Sequence, residues 1–224
     1  MRESGLNWNE HGAARHDRAA LPILSPLEVS LATIEQQRAG VRLHGVAQLK
    51  PLLAPGSAIG NIAATYLGSA ARPVRVILFD KTPGTNWALG WHQDRTVAVR
   101  ARHELPGWGP WSSKAGVQHV EPPFEIIARM VTIRIHLDPV PKDNAPLLIA
   151  PGSHRLGRVS EPEIHAAVQR CGTATCLAER ADVWVYATSI LHASAASSGH
   201  GHRRVLQIDY SAEKLPVPLE WLGI

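Results

Sequence analysis

The chain has 224 residues, enough for one hydrophobic core and short of what two ordinary domains need, so a single domain over 1–224 is expected. Hydrophobic residues make up 45% and charged residues 19%, which excludes intrinsic disorder and fibrous architecture. Lys and Arg number 23 against 19 Asp and Glu. The excess is spread along the chain, so a nucleic-acid partner is not indicated, while a pocket that attracts a small anion is.

No apolar run approaches the roughly 18 residues that span a bilayer, and the charged N-terminus lacks a signal-peptide core. A cytoplasmic protein with no membrane partner is expected. Cys171 and Cys176 have no second pair, which fits neither a zinc ribbon nor a disulfide framework.

The first predicted helix starts at Ser25, with Pro26 at the first helical position and Glu28 completing a capping box. Leu27, Leu31 and Ile34 form its stripe and Gly40 ends it. A second helix runs from Ser57 to about Gly68, with Ile59, Ile62, Tyr66 and Leu67 at helical spacing and Gly60 weakening it. This helical part reaches about residue 72. Beyond it, short β-branched and apolar runs between Pro, Gly and Asn turns predict a sandwich or barrel. Strands are expected near Val74–Phe79, Ala88–Gln93, Arg129–Leu137, Leu147–Ala150, Ala181–Ala187 and Arg203–Tyr210. The stretch Ala101–Pro123, with Trp108 and Trp111, has no clear period and reads as a long loop over one end of the sheet. A short helix follows Ser160, capped with Glu163.

In Trp91-His92-Gln93-Asp94, the histidine and the aspartate are two apart at a strand end, so both point to one face. His119-Val-Glu121 is a rival of the same form in the irregular stretch. A remote third ligand is offered by His192, which follows an apolar run and opens a Ser-rich loop. Two His and one carboxylate on one face of octahedral Fe(II) leave three positions open, enough for a bidentate 2-oxo acid and O2. Ser194 and Arg203 supply donors for a carboxylate, the guanidinium doing so through two parallel hydrogen bonds. Arg204 points to the opposite face. In Met130–Leu137, Thr132, Arg134 and His136 share a face opposite Val131, Ile133, Ile135 and Leu137, and either line a pocket or form an outer solvated face.

Trp91-His92-Gln93-Asp94, Ile135-His136-Leu137-Asp138 running on to Pro151-Gly152-Ser153-His154, and His192-x-Ser194 with Arg203 resemble the phytanoyl-CoA dioxygenase family of Fe(II)- and 2-oxoglutarate-dependent oxygenases, in order over Val74–Tyr210. The resemblance implies a mainly β, cupin-like jelly roll (a double-stranded β-helix) with a few packing helices, its core over about 73–211. It further implies that His92, Asp94 and His192 hold Fe(II), that Arg203 and Ser194 bind the distal carboxylate of 2-oxoglutarate, and that Thr132 contacts the same cosubstrate. Asn144-Ala145-Pro146 departs from the family's Asn-Gly turn, and Ala181-Asp182 from its Gly-Asp.

The expected activity is hydroxylation of an unactivated carbon of a small-molecule substrate, with O2 as cosubstrate and release of succinate and CO2. A halogenase of this chemistry replaces the carboxylate ligand by a small residue, whereas Asp94 is present. Ala101–Pro123 is expected to cover the substrate. Two further readings are a catalytically silent metal- or ligand-binding jelly roll and an interaction protein that uses Trp108 and Trp111.

Overall fold

The computed structural model describes residues 5–34, 40–82, 84–198 and 201–224. In chain order the first elements are α1 (Trp8–His11), β1 (Ala13–His16), α2 (Leu24–Leu31), β2 (Gly40–Leu43), α3 (Leu49–Leu53) and α4 (Ala58–Leu67). Then come β3 (Arg72–Lys81), β4 (Leu89–His92), β5 (Val97–Val99), β6 (Trp111–Lys114), β7 (Val117–Val120), α5 (Phe124–Ala128) and β8 (Met130–His136). The last are β9 (Leu147–Ile149), α6 (Ile164–Cys171), β10 (Ala174–Cys176), β11 (Val183–Ala187), β12 (His192–Ser194) and β13 (Arg203–Ser211). No helix among the described residues is long and apolar enough to cross a membrane.

The strands form an antiparallel jelly roll. Its large sheet has the order β1-β11-β8-β13-β3-β2, and its small sheet β10-β9-β12-β4. β3, β8 and β13 are the long central strands, and their alternation decides what each face carries. On the outer face Val76, Leu78, Ile133, Ile135, Leu206 and Ile208 pack against Leu27, Leu49, Leu53 and Ile59 from α2, α3 and α4. The Tyr210 hydroxyl donates to the Leu53 carbonyl at 2.8 Å and ties the helices to the sheet. The inner face is polar, presenting Arg75, Lys81, Thr132, Arg134, Arg203, Gln207 and Asp209, all buried. Polar side chains on the inward side of strands that are apolar outward mark that side as a site rather than a core.

The expected strands form within a residue or two, and seven more accompany them among the described residues. β1 and β2, both inside the expected helical part, extend the two edges of the large sheet. His192 stands in a strand, not at the mouth of a loop, and pairs with His92 across the small sheet. β5, β7 and β6 make a separate three-stranded sheet, so the expected loop Ala101–Pro123 carries a hairpin. Its turn is built by Ala115 and Gly116, both with positive φ (52° and 79°), a combination that matches the twist of a two-residue hairpin.

The first helix is shorter than the sequence predicts. Pro22 opens a 3-10 turn, Leu21–Ile23, that runs directly into α2, so Ser25 lies inside the helix instead of capping it. The Ser30 hydroxyl bonds back to the Pro26 carbonyl at 2.7 Å, and Ala32 and Ile34 close tighter turns after Leu31. The expected continuation over 35–39 lies outside the described residues, and Gly40 begins β2. In contrast, α4 starts where expected, and Ser57 caps it by accepting from the Gly60 amide. Gly60 itself is required, since any Cβ there would collide with the Ala54 carbonyl.

Candidate active site

His92 ends β4, Asp94 follows it, and His192 opens the neighbouring strand β12. The three bring their ligand atoms within 4.8 Å of one another. Each imidazole is oriented by its own backbone, with Nδ1 at 2.8 Å from the Gly90 carbonyl for His92 and 3.0 Å from that of Ile190 for His192. Nδ1 therefore carries the proton, and Nε2 keeps its lone pair for a metal. Burial pulls His192 down to about 4, so its neutral form prevails at physiological pH. Burial pushes Asp94 up, but Arg75 and the two imidazoles outweigh it and hold the carboxyl below its usual range. The buried Asp94 Oδ2 accepts no hydrogen bond among the described residues. Two imidazole nitrogens and an ionised carboxylate whose Oδ2 accepts no such hydrogen bond fit a divalent iron.

Behind Asp94 lies a chain of buried groups that the sequence reading missed. Arg75 reaches Asp94 at 3.6 Å and Asp209 at 2.5 Å. Asp209 in turn accepts from the Thr132 hydroxyl at 3.1 Å, and Thr132 sits 3.0 Å from the Thr188 hydroxyl. Thr132, expected at 2-oxoglutarate, is thus engaged in this chain and does not line the cavity described next. Gln93, between the two ligands, points the other way. Its amide donates to the carbonyls of Ser189 (2.7 Å) and Gly157 (3.0 Å) and accepts from the Val159 amide at 2.9 Å. That staple fixes β4 to the segment leading into His192. The legible hint was a polar residue facing away from a ligand pair.

The His-Asp-His cluster opens on a cavity of about 330 Å³ between the two sheets. At its far end stand Lys81, Arg134, Ser194 and Arg203. Arg203 Nη1 donates to the Ala145 carbonyl at 3.0 Å, while its buried Nε has no partner among the described residues, as is true of Arg134 Nε. Lys81 donates to Ser194 Oγ at 3.0 Å and to the Ala195 carbonyl at 2.5 Å. Burial, then Arg203 and Arg134, pull its ammonium down to about 7. Burial and Arg134 also lower Arg203. Arg204 faces outward and forks onto Asp138 with contacts of 2.9 and 2.6 Å.

The rival pair does not assemble. His119 is buried in β7 with Nδ1 on the Val117 carbonyl, and Glu121 pairs with Arg158 at 2.8 Å. Trp108 and Trp111 pack against the buried Val97, Val120 and Trp221, so they do not present the exposed aromatic face that an interaction protein needs. His136 is buried with both ring nitrogens unpartnered among the described residues, and it lies outside the cavity lining.

Residues 56–205 match the family described as Phytanoyl-CoA dioxygenase (PhyH). No curated protein matches the sequence. Among solved structures, EctD from S. alaskensis with 2-oxoglutarate and 5-hydroxyectoine is similar with a TM-score of 0.67 and 15% identity, over 97% of this chain and 77% of that one. AviO1 from Streptomyces viridochromogenes Tue57 gives 0.64 and 17%, over 93% of each chain. The epimerase SnoN, in complex with Fe3+, alpha ketoglutarate and nogalamycin RO, gives 0.63 and 14%, over 94% of this chain and 88% of that one. At such identities the likeness is one of fold.

Proposed function

This chain belongs to the phytanoyl-CoA dioxygenase family and is an Fe(II)- and 2-oxoglutarate-dependent oxygenase, and from that premise we propose that it hydroxylates an unactivated carbon of a small molecule, releasing succinate and CO2. In this reading His92, Asp94 and His192 hold Fe(II), and Arg203 with Ser194 receives the distal carboxylate of 2-oxoglutarate. The observation that carries it is a cavity that joins a His-Asp-His cluster to buried cations that form no ion pair among the described residues. When bound, iron with 2-oxoglutarate and O2 supplies the oxidising equivalent, which is the hard chemistry.

The chain's own residues do the rest. The backbone carbonyls of Gly90 and Ile190 set both imidazoles in one tautomer. Arg75 keeps Asp94 ionised and so able to act as a ligand. Arg203, Lys81 and Ser194 grip the far end of the cosubstrate and fix which of its atoms reach the metal side. Phe79, Trp87 and Leu89 supply apolar wall and exclude water from the space between. The carboxylate at Asp94 favours hydroxylation over halogenation, since a halide needs the position that the carboxylate takes.

The test is a screen of small molecules for stimulated succinate formation by iron-loaded protein in air, with each product analysed by mass. Gain of one oxygen atom is the expected result. An epimerised or desaturated product overturns hydroxylation and leaves the oxygenase class intact. In a parallel binding titration, Arg203→Gln is expected to weaken 2-oxoglutarate from tens- to about a thousandfold, since losing one partner of a buried charged contact costs about 2 to 5 kcal/mol. Unchanged affinity removes Arg203 from the cosubstrate site.

A further inference from the structure

The cavity has a second cationic group that the chemistry above does not use. Arg75, Ile77, Phe79 and Lys81 alternate along β3 and all face the cavity. Arg75 and Lys81 are six residues apart, which separates their Cα atoms by about 20 Å on an extended strand. Around Lys81 gather Arg134 and Arg203. Around Arg75 gather Arg42 and Lys114.

Arg42 stands on the edge strand β2 opposite Ile77, so its side chain leaves the sheet on the cavity side. It is half-buried, and its Nε is buried with no hydrogen-bond partner among the described residues. Lys114 comes from a different element, the last residue of β6 before the hairpin turn, and lines the same cavity from above. Neither forms an ion pair among the described residues, whereas Arg75 is taken by Asp209 and Asp94. Asp94 reaches Lys114 only through space, as a minor influence beside burial, Arg42 and Arg75, so two cations converge from separate elements on a cavity with no ion-pair partner among the described residues, the arrangement an oxyanion subsite needs and the same logic that reads Arg203. A short cavity leaves little room once a five-carbon cosubstrate is in place, since about 300 Å³ is the lower limit of ordinary ligand sites.

We propose that the primary substrate is a small organic anion whose carboxylate or phosphate lies between Arg42 and Lys114, beside the metal ligands and at the opposite end from the Arg203 group. This rests on the oxygenase reading and narrows its substrate class. Arg42 orients the oxyanion through its planar fork, and Lys114 brings the hairpin down over it. The carbon to be oxidised then lies between the oxyanion and the His92-Asp94-His192 cluster, a few bonds from the charged end.

The experiment takes the full chain loaded with Fe(II) and 2-oxoglutarate in the absence of oxygen and titrates it by calorimetry. The probes are a panel of small monocarboxylates, the neutral amides of the same acids, and inorganic phosphate. Binding of an acid or of phosphate, with no binding of the amides, is expected. Phosphate alone or carboxylate alone would name which oxyanion the substrate carries. Arg42→Gln and Lys114→Gln are each expected to weaken that binding from about tenfold to about a hundredfold, as for the loss of a hydrogen bond to a charged group. Lys114 is exposed at a hairpin end, so its variant folds even if that of Arg42 does not.

Amides that bind as tightly as their acids overturn the proposal. So does an oxyanion that binds only by displacing 2-oxoglutarate, a panel in which nothing binds, or variants that match the parent. Failure of the oxygenase reading has a different signature. There, the parent protein does not bind 2-oxoglutarate or form succinate in air, whatever the oxyanion titration gives.

Discussion

The buried chain behind Asp94 and the far end of the cavity handle charge in opposite ways. At the cluster end, Arg42 and Lys114 line the cavity without an ion pair among the described residues, but behind them Asp94 meets Arg75, Arg75 meets Asp209, and Asp209 meets Thr132, so each charge of that chain has an opposite charge or a donor within 3.6 Å. At the other end, Lys81, Arg134 and Arg203 face carbonyls, a hydroxyl and aromatic rings. Lys81 lies 4.7 Å from the Trp87 ring centre, and Arg134 5.6 Å from that of Phe79. The neighbouring Asp80 offsets this only in part: it favours the charged Arg203 from a distance, but on the other face of β3 it pairs with His202 at 2.8 Å. A balanced end is complete when the chain folds. An unbalanced one raises the free energy of the folded chain until an anion arrives, which turns stored repulsion into affinity.

The largest expected effect breaks the balanced end at its ligands. His192→Ala takes away one of the three proposed metal-binding atoms, and the variant is expected to keep its fold, lose tight binding of Fe(II), and show no turnover. Metal content after dialysis checks the first loss, and the succinate assay the second. Retained iron in this variant, together with its loss in His119→Ala, would move the site to the rival pair.

Next in size is Arg75→Leu. It leaves Asp94 and Asp209 without the cation between them, and Asp209 is 2% exposed. Breaking a buried pair by removing one member costs about 3 to 5 kcal/mol. Urea unfolding of the metal-free protein is expected to show a loss of that order, and Arg75→Leu combined with Asp209→Leu is expected to regain much of it. If the single variant is as stable as the parent, the balance at this end contributes nothing to the fold.

How much of this was legible in the sequence depends on which physical rule carries each residue. His92, Asp94, His192 and Arg203 announced themselves by residue type and spacing, and strand alternation placed Arg203 and Arg204 on opposite faces. The same alternation was available for Arg75 and Lys81 in Arg72–Lys81, and for Asp209 in the last strand. Nothing local distinguishes these cations and this acid from a solvated face, because their burial depends on the small sheet that closes over them. The two departures from the family were informative in a way that spacing alone did not reveal. Ala145 and Ala181 both adopt positive φ, 49° and 76°, which explains the family's glycine at each. The Ala145 turn presents its carbonyl to Arg203. Ser25 misled because a capping pattern says where a helix could start, and the preceding Pro22 turn had already started one. The hairpin within Ala101–Pro123 was missed because its two strands are four residues each, too short for a period to show.

A smaller effect sharpens the unbalanced end. With its ammonium pulled to about 7 in the fold and near 10.5 when unfolded, Lys81 binds fewer protons folded than unfolded between those values. Stability of the metal-free, ligand-free protein therefore rises with pH from about 7 toward about 10.5, and the penalty is fully present below 7. Lys81→Met is expected to flatten this slope. Bound 2-oxoglutarate flattens it too, since a carboxylate beside Lys81 restores the ammonium, and its affinity is expected to fall as pH rises above 7. Urea midpoints measured across that window on parent and variant isolate the Lys81 contribution from other titrations. Parallel slopes would show that Lys81 is not under repulsion.

The smallest expected effect comes from Arg204, one residue from the proposed cosubstrate anchor and on the other side of the sheet. It makes better-formed hydrogen bonds than Arg203 does, with two guanidinium contacts to Asp138 and a third from its own amide at 2.8 Å. Geometry alone would rank it above Arg203. Its side chain is 35% exposed, however, and in that setting water and salt screen the pair, which contributes about 0 to 1 kcal/mol. Arg204→Gln is therefore expected to lower stability by no more than about 1 kcal/mol and to leave 2-oxoglutarate affinity within about twofold of the parent. The comparison turns on this contrast. If cation count near the last strand were what recruits the cosubstrate, both arginines would matter; if it is unpaired cations on the inner face, only Arg203 does. An Arg204→Gln variant that weakens 2-oxoglutarate as much as Arg203→Gln would show that the charge imbalance is not confined to the cavity.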